Sequence, residues 1–300
     1  MKSDVKQIYH VPVLLNEVIN ALQVRENKWY IDATAGGGGH SEAILRLGGR
    51  VLALDQDEDA VFWLKEKFKS ELSSGKIIIK KGNFRKLEKL VAEAKIGEIW
   101  GILLDLGMST YQLKGSGRGF SFREDEKLDM RMAKDEGISA EEVINTFSED
   151  KLYEIFRKFG EEHLARELAR ATVCARTVKP IRTTSQLREM IIEVYKNAHI
   201  KELKDPATRT FQALRIFVND EAEALKTVLP QALRLVARAG RLVIISFHSL
   251  EDRQVKLFFR EKAATEAIRL INHKPISAGD DEINRNPSAR SARLRVAEKI

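Results

Sequence analysis

From residue 29 to 107, short apolar runs alternate with segments whose apolar positions recur every three or four residues. The runs at 29–34, 50–55, 76–81 and 99–106 have the length and β-branched character of buried strands, while 41–47, 57–72 and 85–95 carry the helical period. Such alternation implies right-handed βαβ units and a parallel sheet. The rhythm breaks after Gly107. Residues 108–138 are rich in Gly, Ser and charge, and 139–200 read as amphipathic helices with no convincing buried strand. It resumes with a long helix from about Arg209 to Ala237, a turn at Ala239-Gly240, a strand over 241–246 and a helix over 251–264. The segments 268–272 and 292–297 pair as a closing antiparallel hairpin across a polar loop. The pattern therefore predicts a discontinuous α/β domain, 1–108 and 209–300, interrupted by a mostly helical insert, 109–208.

Composition narrows this only in part. Three hundred residues with 43% hydrophobic content suit one large domain, or one domain carrying another. The 51 Lys and Arg against 44 Asp and Glu leave a charge of +7, which favours a polyanionic partner without excluding a merely basic protein. Cys174 is the single cysteine, so an intrachain disulfide and a multi-cysteine zinc site are excluded. No apolar run reaches membrane-spanning length, and Met1 to His10 lacks the apolar centre of a signal peptide, so a cytoplasmic location is expected.

The first predicted strand runs into Ala35-Gly36-Gly37-Gly38-Gly39-His40, and the second ends in Asp55. Glycine permits positive φ and a close approach of backbone N–H groups to a ligand, and an acid ending the next strand can accept both hydroxyls of a ribose. That combination predicts a nucleoside-cofactor site, with a tight strand-to-helix turn as the plainer alternative. An open seven-stranded sheet closed by an antiparallel pair is the layout of class I S-adenosylmethionine-dependent methyltransferases, a Rossmann-like fold. In such sheets ligands sit at the carboxyl ends of the strands. Gly36 to His40, Asp55 and Asp105 to Gln112 then gather at one edge. Phe84 follows the third strand there, either as a cover for an adenine face or as core.

At these residues the sequence resembles the bacterial small-subunit rRNA cytosine-N4 methyltransferase family, RsmH (MraW), nearly end to end. The matching blocks are His10-Val-Pro-Val-Leu14, Gly38-Gly-His-Ser41, Gly101-Ile-Leu-Leu-Asp-Leu-Gly107, Arg118-Gly-Phe-Ser-Phe122, Leu128-Asp-Met-Arg-Met132, Ala207 to Ile216, Ile245 to Arg253 and Ala289-Arg-Ser291. Departures are small: Met108-Ser109-Thr110 for a usual Val-Ser-Ser, Asp205 where His is common, Ser288 for a basic residue, and a short loop before Asn286. The resemblance implies methyl transfer from S-adenosylmethionine to the exocyclic N4 of a cytidine in the decoding region of 16S rRNA. It implies cofactor contacts from Gly38, Gly39, His40, Asp55, Phe84, Asp105 and Gln112. It assigns no metal ligands, and it leaves open whether the chain forms a homodimer.

Transfer from a sulfonium is an in-line displacement, so the protein must chiefly align nucleophile and methyl group in a dry pocket. Asp105, Ser109 or a backbone carbonyl can accept the N4 proton, and the Asp/Asn-Pro-Pro-aromatic motif common among amino-methyltransferases is absent. His40 either touches the cofactor or base, or caps the next helix together with Ser41. His248, after the fifth strand, either faces substrate or is held as a structural side chain. Seven cations between Arg157 and Arg182, against three acids, suit a phosphate-tracking face or a solvated helix surface. Phe120 and Phe122 suit stacking on a splayed base or anchoring of the insert on the sheet domain. A nicotinamide dehydrogenase would share the strand-loop-acid arrangement but gives the terminal hairpin no role. A non-catalytic RNA-binding factor would leave the glycine loop without purpose.

Overall fold

The computed structural model describes residues 12–133, 137–201 and 205–300. The readings on Met1 to His10 and on Val11 lie outside them. The chain divides into two compact units, one running to Ser109 and resuming at Glu223, the other Thr110–Ala222.

The first unit is the predicted α/β layout. Its elements are α1 (Leu15–Leu22), β1 (Trp29–Asp32), α2 (Gly39–Arg46), β2 (Arg50–Asp55), α3 (Glu58–Lys67), α4 (Lys69–Ser73), β3 (Ile77–Lys81), α5 (Leu87–Ala94) and β4 (Ile99–Asp105). The strands form one sheet, in the order β3-β2-β1-β4-β5-β7-β6 once the later ones are added. Strands β1 to β5 pair in parallel, and the terminal strand runs antiparallel to both its neighbours. This is the class I methyltransferase sheet. Its order reverses between β1 and β4, where open α/β sheets bind ligands.

Side-chain alternation along the strands builds two cores. Ile31, Leu52, Leu54, Ile102, Leu104, Leu242 and Ile244 face one side, and Tyr30, Val51, Ala53, Leu103, Val243 and Ile245 the other. Both faces are covered, which is why these strands read as continuous apolar runs. The expected helix over 57–72 is two helices, because Phe68 leaves helical geometry (φ −107°, ψ 32°) to bury its ring.

The second unit holds α6 (Thr110–Lys114), α7 (Ala140–Thr146), α8 (Glu149–Gly160), α9 (Ala165–Val178), α10 (Thr184–Asn197) and α11 (Ala207–Val218). Ser139 with Glu142, and Thr183 with Gln186, form capping boxes that start α7 and α10. Leu152, Ile155 and Phe156 of α8, Leu168 of α9, Leu187 and Ile191 of α10, and Phe211 and Leu214 of α11 are buried.

The chain thus changes unit at Ala222, where the reading from periodicity placed residue 209 onward in the sheet domain. The long helix expected from Arg209 is interrupted. Asn219 donates to Met130 O (2.8 Å) and accepts from Met132 N (2.8 Å), and Asp220 takes a positive φ of 49°. α12 (Glu221–Leu235) then leads into β5 (Val236–Ser246), α13 (Ser249–Ala264), β6 (Ile268–Leu270), α14 (Asp280–Arg285) and β7 (Arg293–Lys299). The turn at Ala239-Gly240 falls inside β5, whose pairing with β4 slips between Ile99 and Gly101.

Phe120 is buried, and Phe122 meets Phe211 edge-on at 5.0 Å. The Phe122 ring thus packs within the helical unit, and the Arg118 guanidinium lies 5.4 Å from the centre of the Phe120 ring. Arg118 fastens their loop by donating to Arg131 O and Met132 O, each at 3.1 Å. Among the described residues no helix is long and apolar enough to cross a membrane.

Candidate functional site

The parallel strands deliver their last residues to one edge of the sheet unit. Three of these strand ends carry carboxylates: Asp32 on β1, Asp55 on β2 and Asp105 on β4. Asp105 N donates to Thr34 Oγ1 (2.7 Å), tying the end of β4 to the loop after β1.

Asp55 accepts from Gly36 N at Oδ2 and from Asp57 N at Oδ1, each at 2.8 Å. Each oxygen retains a second lone pair, so the carboxylate braces the glycine loop and still has acceptor capacity for a diol. Burial pushes its pKa up to about 6, against the pull of the two N–H donors, with Asp57 and Asp32 adding to the rise. The neighbouring Asn83-Phe84 segment is held in place by Asn83 Nδ2, which donates to Gln56 Oε1 (2.6 Å). Phe84 is half-buried and packs against the core, in keeping with either of its two readings.

Two of the four glycines are required by packing, a reason that composition does not reveal. Gly38 caps α2 at φ 75°, and a Cβ there would lie 2.7 Å from Leu64 Cδ2 and from Phe68 Cε2. A Cβ on Gly39 would meet the Pro12 ring at 2.9 Å. Both positions are closed by the protein's own packing, so close approach here is first of all to α3 and to Pro12. On the outer side, Lys67 Nζ (3.1 Å) and Trp63 Nε1 (3.4 Å) donate to Gly37 O, and Lys67 pairs with Glu42 at 2.9 Å. The loop is clamped from α3.

His40, in the first turn of α2, is buried. Its Nε2 lies 3.1 Å from Val13 O and its Nδ1 3.6 Å from Asp105 Oδ2. Ser41 does not cap the helix; its hydroxyl donates to Asp32 Oδ2 at 2.7 Å. Asp32 is 1% exposed, and burial holds its carboxyl above the usual range, with His40 and Ser41 pulling it down and Asp105 pushing it up. Asp32, Thr34 and Ser41 were not anticipated as site residues. The signal for Asp32 was its place at the end of an apolar strand before the glycines, the same signal that singled out Asp55.

Gln112 lies in the helical unit, buried on α6. His248 is the N-cap of α13: its Nδ1 accepts from Glu251 N (3.4 Å), its Nε2 lies 3.1 Å from Glu251 Oε1, and Glu251 Oε2 accepts from Phe247 N (2.9 Å). These contacts fit the structural role of the two considered for it.

The sequence pattern of the MraW methylase family matches residues 7–300. The ribosomal RNA small subunit methyltransferase H of Heliobacterium mobile is 42% identical over 98% of this chain and 100% of its own length. Its namesake in Heliobacterium modesticaldum is 42% identical over 97% and 99%. A solved rRNA methylase of Streptococcus thermophilus aligns with 95% of this chain and 93% of its own, at 11% identity and a TM-score of 0.45.

Proposed function

The chain belongs to the MraW methylase family, and from that premise we propose that it methylates the exocyclic N4 of a cytidine in the decoding region of 16S rRNA, using S-adenosylmethionine. The observation that carries the reading is the carboxylate triplet Asp32, Asp55 and Asp105 at the strand ends, beside a glycine loop that opens α2. Three acids suit a ligand bearing a sulfonium and an ammonium, and they oppose the pyrophosphate of a dinucleotide. The residues therefore fit S-adenosylmethionine better than a nicotinamide cofactor.

When bound, the cofactor supplies an electrophilic methyl group on a positively charged sulfur. Asp55 accepts the ribose hydroxyls with the lone pairs that Gly36 and Asp57 leave free. The first turn of α2, at Gly39 and His40, offers backbone N–H groups and a positive dipole end to the cofactor's carboxylate, while Gly38, whose own N–H donates to Ala35 O (2.7 Å), sets the left-handed start of the helix. Phe84 covers the adenine, and the family resemblance adds Gln112 to the contact set. Asp105 does two things: it positions His40, and it is the one ionisable group in 105–109 able to take the proton that N4 releases. No covalent intermediate with the protein is needed, since alignment supplies most of the acceleration.

The test is incubation of the protein and methyl-labelled S-adenosylmethionine with small ribosomal subunits from a strain lacking the enzyme, followed by nucleoside mass spectrometry. Labelled N4-methylcytidine is expected. Label in another nucleoside would overturn the target, and absence of label would overturn the activity on these particles.

A further inference from the structure

Around the sheet unit several surface cations are paired with acids: Lys28 with Glu98 (3.4 Å), Lys69 with Glu66 (2.7 Å), Lys80 with Glu93 (3.2 Å), Lys81 with Glu58 (3.1 Å) and Arg234 with Glu88 (2.7 Å). Others there, such as Lys65, Lys95 and Lys256, are exposed singly with no acid at ion-pair distance among the described residues. On α8 and α9 of the helical unit, Arg157, Lys158, Arg166 and Arg170 are exposed, and none has a carboxylate at ion-pair distance among the described residues. The acids of the same two helices, Glu149, Asp150, Glu154 and Glu167, do not pair with them.

These cations are nevertheless not loose. The Arg166 guanidinium sits 4.2 Å from the centre of the Tyr153 ring, and the Arg157 guanidinium 5.9 Å from it. Arg157 Nη1 also donates to Tyr153 Oη at 3.2 Å. Lys158 Nζ lies 5.1 Å from the Phe159 ring. An arene fixes a guanidinium through its π face and removes none of its charge, so the N–H edges stay available for a planar or tetrahedral oxyanion. Two like charges converging on one tyrosine repel each other, and an anion between them relieves that repulsion. Arg170 continues the stripe one helical turn beyond Arg166, and the exposed Cys174 stands one turn further on.

We infer that this face, Arg157 and Arg166 about Tyr153 with Lys158 and Arg170, seats the phosphodiester backbone of the RNA substrate as a sequence-independent grip. The inference rests on the reading of the protein as an rRNA methyltransferase. It adds the surface that holds the polymer, apart from the site that holds the cofactor. Phosphate contacts of this kind set register and affinity and read no bases.

The full-length R157A/R166A protein tests it by filter binding of a 16S rRNA transcript across a potassium chloride series. The slope of log affinity against log salt should be less steep by about 1 to 2 than in the wild type, to the same extent for an unrelated RNA. Binding of S-adenosylhomocysteine should be unchanged, and removal of a paired cation, K80A, should leave the slope as it is. In a second experiment the lone Cys174 carries a thiol-linked photocrosslinker, and it should capture rRNA from small subunits. An unchanged slope, or capture of ribosomal protein in place of RNA, would overturn the proposal. If the double variant methylates subunits with the wild-type KM, this grip fails while the methyltransferase reading stands. If the wild-type protein methylates no rRNA, it is the reading itself that fails.

Discussion

The two units of this chain differ in the sign of the charge they gather at one place. The sheet unit draws three carboxylates to the ends of adjacent strands and buries them deeply enough that Asp55 is pushed up to about 6 and Asp32 is also raised. Some of its surface cations are paired with acids, as Lys80 is with Glu93, and others, such as Lys65 and Lys256, stand singly. The helical unit leaves Arg157, Lys158, Arg166 and Arg170 exposed and unpaired, and fixes three of them over aromatic rings. The net charge of +7 is thus an average over regions of different purpose. One region suits a small cation-bearing cofactor and the other a polyanion. Burying acids costs free energy in the empty protein, and a ligand that supplies positive charge and hydroxyl donors recovers it.

That contrast can be broken most sharply at Asp55. D55A should weaken binding of S-adenosylhomocysteine by about 10- to 100-fold, the worth of a hydrogen-bonded charge of about 1.5–3 kcal/mol. RNA affinity should not change, and calorimetry alongside filter binding separates the two. Because D55A also strips the partner from Gly36 N and Asp57 N, D55N serves as the companion variant if the first is poorly folded.

Next in size is G38A, which places a Cβ 2.7 Å from Leu64 and Phe68 at a φ of 75°. A loss of about 2 kcal/mol in stability, read by denaturant titration, is the expected cost of strain and overpacking.

The pH dependence should sharpen the comparison further. The Asp55 pKa is raised on folding, so its protonated form is favoured in the ligand-free protein below about pH 6. The ionised form is the better acceptor for the ribose hydroxyls. Affinity for S-adenosylhomocysteine should therefore be flat above pH 7 and fall as pH drops through 6, approaching about tenfold per unit. In D55A the fall should vanish. The smallest effect is expected from K67M, which removes a donor to Gly37 O and the partner of Glu42. A loss of about 1 kcal/mol in cofactor affinity with kcat retained is the expected result, measured by titration and steady-state kinetics.

Much of this organisation is legible in the sequence. The alternation of apolar runs and helical periods yields the sheet, and the terminal pair is recognisable because 268–272 and 292–297 are short and apolar across a polar loop. Asp55 stood out for the same positional reason as Asp105. What escaped was whatever depends on partners distant in sequence. The break at Asn219 exists because its side chain satisfies the backbone of Met130 and Met132, and nothing local to 209–237 announces that. The glycines were visible, but Leu64, Phe68 and Pro12, which make two of them obligatory, were not. Ser41 looked like a helix cap and is instead a donor to Asp32, since Gly38 already provides the left-handed cap. Asp205, which departs from the usual family residue, turns out to hold Arg188 of α10 through both Nε (2.9 Å) and Nη2 (2.7 Å).

The central claim is that the strand-end carboxylates form a site for a sulfonium cofactor, and the most direct measurement is calorimetric titration of the intact protein with S-adenosylmethionine and, separately, with NAD. Binding of the first and none of the second, with the affinity falling in D55A, is the predicted result. Binding of NAD with comparable affinity, or S-adenosylmethionine binding that D55A leaves untouched, would contradict it.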